Sequence, residues 1–187
     1  ALAQTQVMMR LSAGTGFVVN REGYVITNAH VVRGCERITV TTSEGEQAAT
    51  LVAADAKQDL AALRMAGAAT PAIAPLRWNI KDLKVGDGVV LMGFPGEAGI
   101  AGHYQFRKTQ VTALTGPGGE EKWIQLTSVA EHGNSGGPVL DGAGNVIAVV
   151  AANALTYRLD ARGQPVGAAI SKADVAITLA ALKDFLD

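Results

Sequence analysis

The chain has 187 residues, and its 16 basic and 17 acidic side chains give a net charge of −1, so it lacks the basic excess typical of nucleic-acid-binding proteins. Hydrophobic residues make up 48% of the chain, which excludes an intrinsically disordered protein. The apolar runs, such as Val146–Ala152, are much shorter than the roughly 18 residues of a membrane-spanning helix, so no spanning segment is expected.

Short strands with alternating apolar and polar residues dominate the first third of the chain. Gly14–Asn20 and Tyr24–Thr27 predict a hairpin. The same alternation predicts strands at Ile38–Thr42, Ala48–Ala54 and Leu60–Met65. These strands suffice for one small barrel, and residues 66–84, rich in Ala and Pro, are interpreted as a connector to a second lobe.

A second series of strands follows the connector, and the chain then changes to a helical pattern. The predicted strands are Gly88–Phe94, Tyr104–Leu114, Lys122–Thr127, Pro138–Leu140, Val146–Ala152 and Val166–Ile170. Asp141–Asn145 has the composition of a hairpin turn. From Lys172 onward, Val175, Leu179, Leu182 and Leu186 share one helical face, which predicts a C-terminal amphipathic helix.

A glycine-flanked serine is the strongest chemical signal. Gly133–Pro138 reads GNSGGP, and glycines on both sides of Ser135 allow a tight turn that exposes the hydroxyl and points successive N–H groups into one concavity. Such a concavity can hold the negative oxygen of a tetrahedral intermediate. A plain glycine-rich loop is the alternative for this segment taken alone.

A histidine and an aspartate supply the other two candidates. His30 follows a strand and a small residue in Thr27–Val32, although a buried histidine with satisfied nitrogens would give the same local pattern. Asp59 directly precedes the apolar strand Leu60–Met65, where a carboxylate needs a partner. Asp55 competes for the same role but lies in a more polar stretch, so Asp59 is preferred.

These three contexts, in the order His, Asp, Ser, resemble the chymotrypsin clan and, more narrowly, the bacterial HtrA (Deg) proteases. The resembling stretches are Gly14–Asn20, Tyr24–Val32, Asp59–Leu63, Lys84–Pro95, Gly133–Leu140 and Val166–Ile170. Typical HtrA proteins continue into a peptide-binding PDZ domain, and these 187 residues do not. Either further domains lie outside them or the protein is a shorter relative.

The resemblance implies an all-β fold of two six-stranded antiparallel β-barrels with a C-terminal α-helix. We expect one trypsin-like protease domain over residues 1–187, with an N-terminal lobe over about 5–75, a C-terminal lobe over about 85–171 and the helix over about 172–186. It implies a serine endopeptidase in which His30 is the general base, Asp59 orients it and Ser135 is the nucleophile.

The resemblance also implies the surroundings of this triad. The backbone of Gly133, Asn134 and Ser135 would form the oxyanion hole. The specificity pocket would have Val129 at its base, which favours small or medium aliphatic side chains over Lys or Arg. The remaining candidate substrate-binding residues are Ala130, Glu131, His132, Ala151, Ala152 and Asn153.

The sequence also leads to expectations about partners and location. The expected partners are polypeptides, in particular unfolded or exported proteins, with no nucleic acid, no cofactor and no metal, because the three histidines have no zinc-site spacing. Ala1–Gln4 matches the end of a signal peptide, which favours export to the periplasm or the extracellular space. Two alternative functions are left open, a catalytically silent scaffold module and an esterase. Assembly as a homo-oligomer is left open as well.

Overall fold

The first lobe is an antiparallel sheet built from residues 12–67. The computed structural model describes residues 12–67, 72–94, 104–127, 133–160, 162 and 164–187, without the side chains of residues 152–159, 165 and 167–173. Within them the lobe has five strands in the order β1-β2-β5-β4-β3. The strands are β1 (Phe17–Val18), β2 (Tyr24–Thr27), β3 (Ile38–Thr42), β4 (Gly45–Asp55) and β5 (Leu60–Met65).

The second lobe is a closed barrel of six strands in the order β10-β11-β8-β7-β6-β9. Adjacent strands pair antiparallel throughout the barrel. The strands are β6 (Gly88–Gly93), β7 (Gln105–Ala113), β8 (Trp123–Leu126), β9 (Pro138–Leu140), β10 (Val146–Leu159) and β11 (Pro165–Thr178). The Asp141–Asn145 turn joins β9 to β10, as its composition predicted.

The architecture confirms the all-β fold class with a terminal helix. The second lobe is the predicted six-stranded barrel. In the first lobe, the described residues form an open, five-stranded sheet whose outer strand β1 has only two residues. None of the helices in the described ranges is long and apolar enough to cross a membrane.

The predicted start of the helix at 172 is wrong. The helix, α2, is Leu179–Leu186, and residues 174–177 instead pair with β8 as the end of β11. Val175, Ala176 and Ile177 are buried, because both faces of this strand end are covered. Sheet pairing therefore overrides the helical spacing of Val175, and the Thr178 hydroxyl accepts a hydrogen bond from the Ala181 amide to begin the helix.

One hydrophobic cluster joins the two lobes and the helix. It includes Ile26 and Leu60 of the first lobe, Val149 of the second lobe, and Leu179 and Leu182 of α2. All five of these side chains have no exposed surface, and each full burial stabilises the fold by about 1.5–3 kcal/mol. The shared core fixes the two lobes against each other, and with them the ends of β2, β5 and β9.

The connector is held to the second lobe by an ion pair. The Arg77 guanidinium donates from Nη1 to the Asp141 carboxylate at 2.9 Å. The amides of Ala143 and Asn145 also donate to this carboxylate, each at 2.9 Å. Burial raises the pKa of Asp141, but the hydrogen bonds from Asn145 and Arg77 outweigh it, and the pKa lies below its ordinary value.

We expect this carboxylate to make the fold sensitive to acid. Because the folded state lowers the pKa of Asp141, its stabilising contribution is complete above about pH 4 and is lost as the pH falls through the lower folded value. Asp141→Asn should lower the thermal midpoint at neutral pH and flatten its decrease in acid, measured by circular dichroism. Asp82→Asn, which changes an exposed partner of the same Arg77, is the control and should change the midpoint little. Equal effects of the two substitutions would contradict this prediction.

Candidate active site

His30 lies in a one-turn helix, α1 (Ala29–Val32), that follows β2. The sequence prediction placed it at a strand end, and the strand does end three residues earlier, at Thr27. Ala29 and Val32 are buried and fix the helix to the lobe, whereas the His30 side chain is 37% exposed. The imidazole is therefore anchored by its neighbours but accessible to solvent.

Asp59 lies in the turn between β4 and β5, and its carboxylate contacts the His30 imidazole. Its Oδ2 lies 2.8 Å from Nδ1 of His30, and its Oδ1 accepts a hydrogen bond from the His30 amide at 3.0 Å. The next residue, Leu60, is fully buried and fixes the start of β5. The two-point contact fixes both the ring and its backbone relative to the carboxylate.

Asp59 is the one non-glycine residue in the described ranges with a positive φ, at 57°. Asp and Asn tolerate this left-handed conformation better than other side chains. The buried amide of Asn28 donates to the Asp59 carbonyl at 2.9 Å and holds the peptide in this orientation. Asn28 is a supporting residue that the sequence analysis quoted within Thr27–Val32 but assigned no role.

Asp55, the competing carboxylate, has a different task. Its Oδ1 accepts hydrogen bonds from the amides of Lys57 and Gln58 at 2.7 and 3.1 Å, which closes the turn between β4 and β5. Of the two candidates, only Asp59 contacts His30.

The serine lies in a tight turn immediately before β9. Gly133 and Gly136 have φ values of 97° and 84°, in the region that favours glycine. A Cβ on Gly136 would lie 2.3 Å from the Thr15 carbonyl oxygen and 2.9 Å from the Asn28 amide nitrogen. The second-lobe turn can approach the first lobe this closely because position 136 has no side chain.

This close approach brings the serine to the histidine's segment. A Cβ on Gly14 would lie 2.7 Å from a Val31 methyl group and 3.0 Å from the Ser135 carbonyl oxygen. The Thr15 amide donates to that same carbonyl at 2.8 Å. Ser135 and the α1 helix therefore lie on either side of one short segment.

The amides of the serine turn are the candidate donors to an oxyanion. No described residue accepts a hydrogen bond from the N–H groups of Gly133, Asn134 or Ser135. The flanking backbone is held instead, because Gly136 donates to the Val150 carbonyl and Gly137 to the Asn134 carbonyl, both at 2.9 Å. Amides that have no acceptor among the described residues, in a backbone held in place beside them, suit the binding of a negative oxygen.

The Ser135 hydroxyl donates to the Ala151 carbonyl at 3.1 Å. Within the described part of the chain, His30 and Ser135 are not joined by a hydrogen bond. Ala151, a predicted substrate-binding residue, is thus beside the serine and is itself buried.

The family model for the trypsin-like peptidase domain matches residues 14–149, which contain all three candidate residues. The chain belongs to the trypsin-like peptidase family. The HtrA (Deg) resemblance is also confirmed, because the sequence relatives include proteins named DegP-like and the solved structures include an HtrA-type protease.

Three similar proteins illustrate the relationship. The uncharacterized protein y4bJ of Sinorhizobium fredii is 39% identical over 151 residues, covering 80% of this chain and 22% of that protein. The "Probable periplasmic serine endoprotease DegP-like" of Brucella suis is 34% identical over 143 residues, covering 74% of this chain and 27% of that protein. The structure of the HtrA-type protease AlgW with a decapeptide has 27% identity and a TM-score of 0.69, covering 92% of this chain and 50% of that one. The chain spans about a quarter of the length of these sequence relatives.

Part of the predicted trypsin-like site lies outside the described residues. Val129, Ala130, Glu131 and His132 belong to this part, as do the side chains of Ala152 and Asn153 and the segment Ala1–Gln4. Among the residues that the structure describes, no group of three His, Cys, Asp or Glu side chains is arranged to hold a metal ion.

Proposed function

We propose that this domain is a serine endopeptidase that hydrolyses peptide bonds with Ser135, His30 and Asp59. The observation that carries the proposal is the 2.8 Å contact between Asp59 and His30, near a glycine-flanked serine turn whose amides have no acceptor among the described residues. Membership of the trypsin-like peptidase family supports the same chemistry.

The Asp59 contact determines which nitrogen of His30 can act. With Nδ1–H donated to the carboxylate, the lone pair of Nε2 is left to accept a proton. His30 takes the Ser135 proton while Oγ forms a bond to the substrate carbonyl carbon. It then gives the proton to the leaving amine as the C–N bond breaks. Water then cleaves the resulting ester. His30 takes a proton from the water as its oxygen bonds to the acyl carbon, and returns the proton to Oγ of Ser135 as the ester bond breaks.

This mechanism requires the Ser135 hydroxyl to change its partner. Its hydrogen bond to the Ala151 carbonyl must be exchanged for one to Nε2 of His30, which requires at least a rotation about the Cα–Cβ bond of Ser135. Catalytic hydrogen bonds commonly tighten only when substrate binds. A substrate strand beside Ala151 would compete for the same carbonyl and favour that rotation.

The amides of the serine turn complete the proposed mechanism. The N–H groups of Gly133 and Ser135, with Asn134 between them, would bind the oxygen that becomes negative in the tetrahedral intermediate. Each such donor contributes about 10²–10³-fold to turnover.

The substrate is proposed to be an unfolded or exported polypeptide with a small or medium aliphatic residue before the cleaved bond. An extended peptide would bind as an added strand beside Ala151, and an unfolded polypeptide can adopt that conformation. The aliphatic preference rests on Val129 alone and is a proposal from sequence. The relatives named periplasmic endoproteases support an exported, periplasmic protein, and assembly as a homo-oligomer remains a proposal of the resemblance.

A fluorophosphonate probe tests the proposed chemistry directly. The wild-type protein should be labelled at Ser135, with the site identified by mass spectrometry of the modified peptide. His30→Ala should lower the labelling rate by about 10⁴-fold or more, because the base is removed. His103→Ala, a histidine to which we assign no role, is the control and should keep the rate.

The outcomes separate the alternatives. An absence of labelling in every condition, including with unfolded casein present, would favour the scaffold module. Labelling with hydrolysis of p-nitrophenyl esters but not of casein would favour an esterase. Cleavage of casein by wild type, reduced in His30→Ala together with the labelling rate, supports the endopeptidase.

A further inference from the structure

One buried hydroxyl, that of Thr15, connects three segments around the proposed nucleophile. Thr15 is 5% exposed and lies just before β1. Its Oγ1 donates to the Gly133 carbonyl at 2.6 Å and accepts a hydrogen bond from the Phe94 amide at 3.0 Å. Both bonds cross from the first lobe to the second, so a residue of one lobe satisfies backbone groups of two separate segments in the other.

Thr15 also holds the other end of the serine turn through its backbone. Its amide donates to the Ser135 carbonyl at 2.8 Å, while its side chain holds the Gly133 carbonyl at 2.6 Å. In a trans peptide the N–H points opposite to the C=O, so fixing the Gly133 carbonyl also fixes the direction of the Asn134 N–H. The two bonds therefore bracket the residues whose amides would bind the oxyanion.

The position of Thr15 is itself fixed from the histidine side. The buried hydroxyl of Thr27, at the end of β2, donates to the Thr15 carbonyl at 2.7 Å. Thr27 precedes His30 by three residues, so one buried path connects the histidine's strand to the serine turn. Displacing Thr15 would alter the geometry between the base and the nucleophile.

We infer that the Thr15 hydroxyl is a positioning group that orients the Gly133–Ser135 turn for oxyanion binding. This inference rests on the proposed function, because it assumes that Ser135 is the nucleophile. The hydroxyl, and not the volume of the side chain, carries the role. Without it the Gly133 carbonyl and the Phe94 amide lose their shared partner, and the buried peptide is free to turn.

The test compares variants that differ in this one group. Thr15→Val keeps the shape and removes the hydroxyl, and Thr15→Ser keeps the hydroxyl and removes the methyl group. With a rhodamine fluorophosphonate as the probe, Thr15→Val should be labelled roughly 10–100-fold more slowly than wild type, a part of the full value of an oxyanion donor. Thr15→Ser should stay within about threefold of wild type.

A matched control separates positioning from stability. Thr178→Val removes another buried threonine hydroxyl, the one that begins α2, and should lower stability by about 1 kcal/mol without contacting the serine turn. Its labelling rate, measured well below the thermal midpoint of every variant, should equal that of wild type.

Each result decides the inference. Equal labelling rates of Thr15→Val and wild type would overturn the inference and leave the proposed function standing. A Thr178→Val variant that is slowed as much as Thr15→Val would have the same consequence. If Thr15→Val does not fold, Thr15→Ala is judged by the same criterion. If neither folds while Thr15→Ser does, the hydroxyl serves stability and the inference is wrong. An unlabelled wild type would instead overturn the proposed function, and this inference with it.

Discussion

Ser135→Ala should reduce casein hydrolysis by about 10⁶-fold, because no other group can form the covalent intermediate. The variant should fold normally, since the substitution removes one atom from a half-buried side chain and a single hydrogen bond to the Ala151 carbonyl. The difference in turnover is measured by the release of labelled peptides from casein over hours. The wild-type enzyme is diluted until its rate of release is similar to that of the variant.

The control for this substitution is Ser43→Ala. Ser43 lies exposed in the turn between β3 and β4, and its loss should leave turnover unchanged. Retention of more than about 1% of wild-type turnover in Ser135→Ala would mean that another nucleophile acts, since a triad without its serine keeps only the residual effect of binding.

The first-lobe strands that carry the site could be predicted from sequence because their patterns are local. Strand β5 begins and ends where its apolar run does, at Leu60 and Met65. Strand β2 likewise matches its predicted bounds. Placing Asp59 directly before β5 therefore followed from the sequence, as did the preference for it over Asp55.

The start of the C-terminal helix could not be predicted, because distant residues determine it. Residues 174–177 have helical spacing with the segment that follows, but β8 lies beside them in the barrel. Hydrogen bonds across the sheet and burial of Val175 and Ile177 then favour a strand. A single sequence does not show that pairing.

The contacts that support the site could not be predicted from the sequence either. Thr15 reads as a residue of a glycine-rich strand entry, and its bonds to Gly133 and Phe94 link positions far apart in the chain. The sequence also did not show which donors the Asp59 carboxylate would have. The two donors that the described residues supply to that carboxylate are the amide and ring of His30.

Asp59→Asn should lower turnover by about 10⁴-fold while the protein remains folded. The carboxylate accepts two hydrogen bonds from His30, and an amide has a single acceptor oxygen. If that oxygen keeps the His30 backbone amide, the NH₂ group faces Nδ1 and makes it an acceptor. The ring proton then moves to Nε2, which can no longer take the proton of Ser135. Asn tolerates the positive φ at this position, so backbone strain does not explain the loss.

Asp55→Asn is the matched control for this last substitution, because it makes the same chemical change four residues away in the same turn. Asp55 binds the amides of Lys57 and Gln58, so its replacement should lower the thermal midpoint but keep turnover within a fewfold of wild type. Casein hydrolysis and the fluorophosphonate labelling rate are compared for both variants below their melting temperatures. If Asp59→Asn loses no more activity than Asp55→Asn, the contact between Asp59 and His30 is structural only. A large difference between the two assigns the orientation of the imidazole to Asp59.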